Sequence, residues 1–405
     1  DGARRYDITA IAEAASPCAE MAPDAADDMT AAAAAVAAMS PAERAGTVVM
    51  ASSADAVGTD LVARLHLGGV ILMGSKGTID GTSGGTPGQV AAVAAELQSQ
   101  VPDGQAPVLI GTDQESGLVT RLVNGFTDFP GADELSAIAD VDTADALTEQ
   151  VTAASAAEMR AVGVTVDFAP DADVLPSGGA SGVAGRTFGA DPERSARLVA
   201  AAVRGYQQGG VAATIKHFPG IGRTATDTHE ALPTLTTDCA EWNAVEAVPM
   251  RGGVDAGVAL VMTGHIDLPA VGTGGTSSAL SSAVVTDLLK GSGVAGCQGL
   301  GFHGVAVSDS FEMAPVVDNF GPGEAAWRGI AAGQDLVLMP SDPAAAVAGI
   351  AAAVESGQLP ADRLADAATR VYALRLALGR VPVPGLDTVG SAEHEAIAAT
   401  ARAAG

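Results

Sequence analysis

Short, near-continuous apolar runs recur along the chain at 47–52, 69–74, 107–112, 164–169, 212–216, 258–263, 304–307 and 335–339. Runs this short, rich in β-branched residues and without polar alternation, predict parallel strands covered on both faces. Alanine-rich stretches at 87–100, 142–162, 192–208 and 240–256 lie between them, and another at 343–355 follows the last; these predict helices. Gly163, Gly209 and Gly257 follow three of them, where a helix C-terminus favours glycine. Eight strand-then-helix units over about 300 residues predict an α/β fold, a single (β/α)8 TIM barrel. A dinucleotide-binding doubly wound sheet needs GxGxxG after its first strand, and none follows 47–52.

The same pattern divides the chain. Residues 1–40 precede the first strand and are expected to form an N-terminal helical extension, with the alanine-rich run 30–38 as helix. Residues 41–382 are expected to form the catalytic barrel. A Val-Pro-Val-Pro-Gly stretch then opens a C-terminal linker, and a short helical tail is expected within 383–405. No apolar run reaches the roughly 18 residues that suggest a membrane span. The chain begins at Asp1 with no charged-then-apolar leader, so a processed N-terminus is expected, favouring a secreted or cell-surface protein while still permitting a cytoplasmic one.

Composition narrows the partners. Acidic residues number 48 against 21 basic ones, giving a formal charge of −27, a field that repels phosphate backbones and argues against nucleic acid. The three cysteines, Cys18, Cys239 and Cys297, show neither CxxC nor zinc spacing. One disulfide with a free thiol and three inert thiols both remain open. No metal or cofactor is expected, and the protein is expected to be a monomer.

Barrel chemistry gathers on the loops after the strands. The third run ends in Asp113-Gln114-Glu115, with Arg121 further on; the fourth leads to Asp171 and Asp173, then Gly185-Arg186. The fifth ends in Lys216-His217-Phe218-Pro219-Gly220, followed by Asp227-Thr228-His229. The sixth leads to His265 and Asp267, and the seventh to Ser308-Asp309. Unpaired buried charge costs several kcal/mol, so charged groups converging from several strands on one face predict a functional site.

These runs, in this order, resemble glycoside hydrolase family 3, specifically its β-N-acetylglucosaminidase branch. Asp113-Gln114-Glu115-Ser116-Gly117 through Arg121 is similar to DQEGGxVxR. Lys216-His217-Phe218-Pro219-Gly220 is similar to KHFPG, Asp227-Thr228-His229 to D-[ST]-H, and Val261–Ile266 and Val307–Met313 to the family's VMxxHI and VSDDLxM. The resemblance spans about residues 45 to 380 and implies a retaining exo-β-N-acetylglucosaminidase acting on N-acetylglucosamine-containing glycans of cell-wall or chitin type. By resemblance, Asp309 is the nucleophile and His229, paired with Asp227, the acid/base. Asp113, Arg121, Arg186, Lys216 and His217 grip the sugar, while Asp173 and His265 support the site. Consecutive strand residues point to opposite faces, so Lys216 and His217 can both face the sugar only through irregular backbone, such as a cis peptide.

The chain departs from the pattern at Ser116, where the family carries glycine, at Ile221, where it carries histidine, and at Ser310, where it carries a second aspartate. These leave two alternatives: a phosphorylase, in which Arg223 assists phosphate, and a catalytically impaired sugar-binding protein.

Overall fold

The computed structural model describes residues 25–176, 181–225 and 231–405. Its centre is an eight-stranded parallel sheet: β1 Val49–Ser52, β2 Gly69–Ile71, β3 Leu109–Thr112, β4 Val166–Asp167, β5 Ala212–Phe218, β6 Leu260–Thr263, β7 Val305–Ser308 and β8 Val337–Leu338. Each strand pairs in parallel with its predecessor, β8 pairs with β1, and an isolated bridge between Val307 and Leu336 joins β7 to β8. The sheet is thus a (β/α)8 barrel. Every predicted apolar run coincides with a strand; most strands are shorter than their runs, while β5 and β7 extend past theirs.

Inward-facing Met50, Leu109, Val166, Phe168, Leu260 and Val307 fill the barrel with one apolar cluster. A larger cluster lies between the strands and the surrounding helices. The helices Pro87–Ser99, Val141–Ala161, Pro192–Gln208 and Pro343–Glu355 fall where the alanine-rich text predicts them. The stretch 240–256 is a correction. It forms two helices, Cys239–Ala244 and Ala247–Asp255, broken at Val245. Pro249 explains the break, because its ring would collide with the carbonyl of residue 245, four positions back, in a continuous helix. In the second helix Pro249 sits within the first turn, where no amide hydrogen is needed. Gly209 caps the helix Pro192–Gln208 as expected, with helical φ, and the left-handed residue follows it at Gly210, φ 90°.

Helix Ala25–Ala38 lies within the expected N-terminal extension and meets the long helix Ala361–Arg380 through an Asp28–Arg380 ion pair. Helix Ala392–Ala404 forms the tail. Its His394 Nδ1 lies 2.9 Å from Glu158 on Val141–Ala161. Cys239 and Cys297 form a disulfide, deciding between the two alternatives left by the sequence; Cys18 lies outside the described residues. Among those residues no helix is long and apolar enough to cross a membrane.

The barrel's N-terminal end is fastened by charge. Asp335, just before β8, is fully buried and accepts hydrogen bonds from Lys290 Nζ (2.7 Å), Arg363 Nη2 (2.9 Å) and Ala306 N (3.0 Å), with Arg370 Nε at 3.7 Å. Burial opposes its ionisation, but these three cations outweigh burial and hold its pKa below the ordinary value. Asp335→Asn strands buried cations and is expected to destabilise the fold by about 3–5 kcal/mol, read by urea unfolding at neutral pH.

Candidate active site

A cavity of about 470 Å³ opens at the C-terminal ends of the strands, within the range of small-molecule sites. Ile71, Met73, Met262 and Leu338 supply apolar wall; Asp113, Arg121, Arg186, Lys216, His217 and Asp309 supply polar groups. A second hollow of about 610 Å³, between Val141–Ala161 and Ala392–Ala404, is lined by four alanines, Ile397, Glu149, Gln150, Gln208 and His394 and gathers no comparable set of buried charges.

The strand ends position these side chains. Beyond β3 the chain folds into a hairpin of Gln114–Ser116 and Val119–Thr120. Gln114 Oε1 accepts from the amides of Arg121 (3.0 Å) and Leu122 (2.9 Å), returning Arg121 to the side of Asp113. Ser116 takes a left-handed φ of 67°, which explains why the family pattern has glycine there. Arg121 Nη1 donates to Gly74 O at 3.0 Å, and its Nη2 lies 3.5 Å from Asp113 Oδ2.

Glu115 is the hub. Its carboxylate accepts from Arg186 in fork-to-fork fashion (2.9 and 2.8 Å), and Lys216 Nζ lies 2.6 Å from its Oε1. Lys216 also donates to Asp113 Oδ1 at 3.0 Å. Burial pushes the Glu115 pKa up, but Lys216 and Arg186 overcome that and hold it at about 2. Desolvation likewise acts against the Lys216 charge, yet Glu115 and Asp113 raise its pKa above the usual lysine value.

The Lys216–His217 peptide is cis, as the sequence argument anticipated, and both side chains line the cavity. His217 Nδ1 is 2.8 Å from Asp173 Oδ2. Burial pulls the His217 pKa down to about 4 despite the Asp171 carboxylate, so the ring is neutral at neutral pH. The segment after β5 is pinned by Trp242, whose Nε1 donates to Pro219 O at 2.9 Å. It passes so close to the β4 loop that a Cβ on Gly222 would sit 2.3 Å from Val174 O.

Asp309 follows β7 directly, and its amide donates to Thr263 O at 2.8 Å. Its Oδ1 accepts from Ser310 N at 2.7 Å. Burial raises its pKa, but the net direction is downward, through the His217 and His265 imidazoles, the Ser310 amide and Lys216. His265 Nε2 lies 2.8 Å from Ser310 O; a carbonyl only accepts, so Nε2 carries a proton. Its Nδ1 lies 2.8 Å from Ser277 Oγ. Through Ser310 O, His265 holds the residue that follows Asp309.

The structure therefore brings together Asp309, Asp113, Arg121, Arg186, Lys216 and His217. Asp227 and His229 lie outside the described residues. Arg223 does not serve the cavity: its guanidinium is taken by Glu246, Glu241 and Thr237. Glu115 stands in the hairpin text, where the sequence assigns it no role; its place as hub depends on the folded proximity of Lys216 and Arg186. Asp171 was likewise legible only as a charge in the right loop. Burial pushes its pKa to about 8, and its Oδ2 lies 3.6 Å from Arg186 Nη2. Ligand atoms of Asp171, Asp173 and His217 lie within 4.8 Å of one another. Asp173 and His217 are hydrogen-bonded to each other and the Arg186 cation stands beside Asp171, whose Oδ2 has no hydrogen-bond partner.

Residues 42–374 match the model of the glycosyl hydrolase family 3 N terminal domain. The chain is 35% identical over 295 residues to a beta-hexosaminidase of Pseudomonas aeruginosa, covering 71% of this chain and 81% of that protein. Among solved structures, it is similar to a family 3 beta-N-acetylglucosaminidase from a Paenibacillus species, at TM-score 0.80 and 34% identity over 90% of this chain and 68% of that one. It is also similar to a beta-N-acetylhexosaminidase from Beutenbergia cavernae, at TM-score 0.73 and 32% identity over 83% of this chain and 98% of that one.

The Glu115 hub has a pH signature. A carboxylate whose folded pKa is lowered adds stability that is complete above its ordinary 4.5 and is lost as pH falls toward about 2. Glu115→Gln should lower stability at neutral pH by about 3 kcal/mol. It should also flatten this part of the acid unfolding curve, measured by urea titration at successive pH values.

Proposed function

The chain belongs to glycosyl hydrolase family 3 and is an enzyme of the β-hexosaminidase type; from that premise we propose that it is a retaining exo-β-N-acetylglucosaminidase. Its substrate is a terminal β-linked N-acetylglucosamine on cell-wall or chitin-type glycans. The observation that carries this reading is Asp309, an ionised carboxylate fixed at a strand end beside a wall of hydroxyl-binding groups.

In the first step Asp309 attacks the anomeric carbon, and the glycosidic bond breaks as His229 gives a proton to the departing oxygen. Asp227 orients the ring and stabilises its imidazolium form, which is consumed in this step and formed again in the next. In the second step His229 takes a proton from water, whose oxygen displaces the Asp309 carboxylate from the sugar. Two inversions return the β configuration. An imidazole suits both transfers because its ordinary pKa lies close to neutrality. Asp113, Arg121, Arg186, Lys216 and His217 hold the sugar, whose fixed pose brings the anomeric carbon to Asp309.

The reading is tested with a 5-fluoro N-acetylglucosaminyl donor. Mass spectrometry of the trapped enzyme should find the label on the peptide bearing Asp309, and a label on another carboxylate would refute the assignment. Asp309→Asn should lower kcat by about a thousandfold or more. His229→Ala should cost about 10²–10⁴-fold on a sugar leaving group and much less on an activated aryl one, which needs no proton. Added phosphate should leave free N-acetylglucosamine as the product; a sugar 1-phosphate would identify a phosphorylase instead.

A further inference from the structure

The Asp173 carboxylate lies behind the cavity wall and binds two residues that line it, Ile221 and His217. Its Oδ1 accepts from Ile221 N at 2.6 Å, while its Oδ2 accepts from His217 N at 3.4 Å and lies 2.8 Å from His217 Nδ1. We propose that Asp173 is a positioning residue that sets the tautomer of His217, placing the proton on Nδ1 and leaving Nε2 as a bare acceptor turned to the cavity for one hydroxyl of the sugar.

Both halves follow from donor and acceptor chemistry. An ionised carboxylate only accepts, so the ring nitrogen facing it must be N–H, and a neutral imidazole has one such proton. The ring is neutral, because burial pulls its pKa to about 4. Asp171, Arg186, Lys216 and Asp309 are the other charged or titratable groups acting on it, and Asp171 Oδ2 lies 3.9 Å from Nδ1, on the same side as Asp173. Lys216 lines the same cavity: two protons of its ammonium go to Asp113 and Glu115, which leaves a third for the ligand. A hydroxyl set between them accepts from Lys216 and gives its own proton to Nε2. The hydroxyl's role rests on the glycosidase reading above; the tautomer does not.

Asp173→Asn separates orientation from shape. The amide has one oxygen for the three donors that the carboxylate serves, and the shortest bond, to Ile221 N, claims it. The NH2 then faces Nδ1, which must accept, and the proton moves to Nε2. Histidine-¹⁵N-labelled protein, with His217→Gln used to assign the signal, should show Nδ1–H in the wild type and Nε2–H in Asp173→Asn at neutral pH. The variant should lose about tenfold or more in kcat/KM on an aryl N-acetylglucosaminide. Across a panel of monodeoxy substrates, that loss should vanish for the one lacking the bridged hydroxyl. An Nε2–H or doubly protonated ring in the wild type, or an unchanged tautomer in the variant, would overturn the proposal. The wild-type spectrum decides it even if Asp173→Asn does not fold. Absence of turnover by the wild type would count against the glycosidase reading, while the nitrogen spectra still decide the tautomer.

Discussion

Charge compensation out of water governs the active end of this molecule. Glu115, Lys216, Asp171 and Asp173 are buried, and Arg186 nearly so. Such groups stay ionised only where partners replace the lost hydration. The Arg186–Glu115–Lys216–Asp113 chain does this with short, directional contacts contributed by three different strand ends. The consequence is rigidity. Lys216 cannot leave Glu115 without uncovering a buried carboxylate, and Arg186 is fixed by the same carboxylate through two parallel bonds. A sugar therefore meets cations that are already oriented, and their ordering cost has been met in folding rather than in binding.

The opposite end of the barrel uses the same physics for another purpose. Asp335 gathers Lys290, Arg363 and Arg370 from elements far apart in the sequence and ties the start of β8 to the helices around it. Desolvation pulls the Lys290 pKa to about 8 against the Asp335 charge, so this knot is held close to the limit of what burial allows. It lines no cavity with catalytic groups. Conserving the barrel's geometry at one end leaves the loops at the other end to carry the chemistry.

The barrel was legible because strands covered on both faces must be apolar throughout, and alanine-rich helices between them admit few other arrangements. Asp113, Arg121, Arg186 and Asp309 were legible because each lies within a run that follows a strand, and Lys216 and His217 because they close one. Partnerships were harder to read. Nothing local to Glu115 says that Lys216, 101 positions later, will arrive 2.6 Å from it. The break at Val245 was in principle readable from Pro249 four residues on, but the surrounding alanine and valine text outweighed it. The disulfide needed three-dimensional proximity, since spacing alone left the cysteines undecided.

The departures from the family pattern become intelligible once main-chain and side-chain roles are separated. Ser310 serves Asp309 through its amide hydrogen and is held by His265 through its carbonyl, so neither contact requires an aspartate side chain. Ile221 is tied to Asp173 by its amide, and that bond survives whichever side chain it carries. What changes at Ile221 is the cavity wall, which gains apolar surface beside His217. Apolar surface there supplies no competing donor or acceptor to the imidazole, so the ring's hydrogen bonding is left to Asp173 on one side and the ligand on the other. The loss of a polar residue from the pattern thus strengthens, rather than weakens, the dependence of this site on a single histidine tautomer.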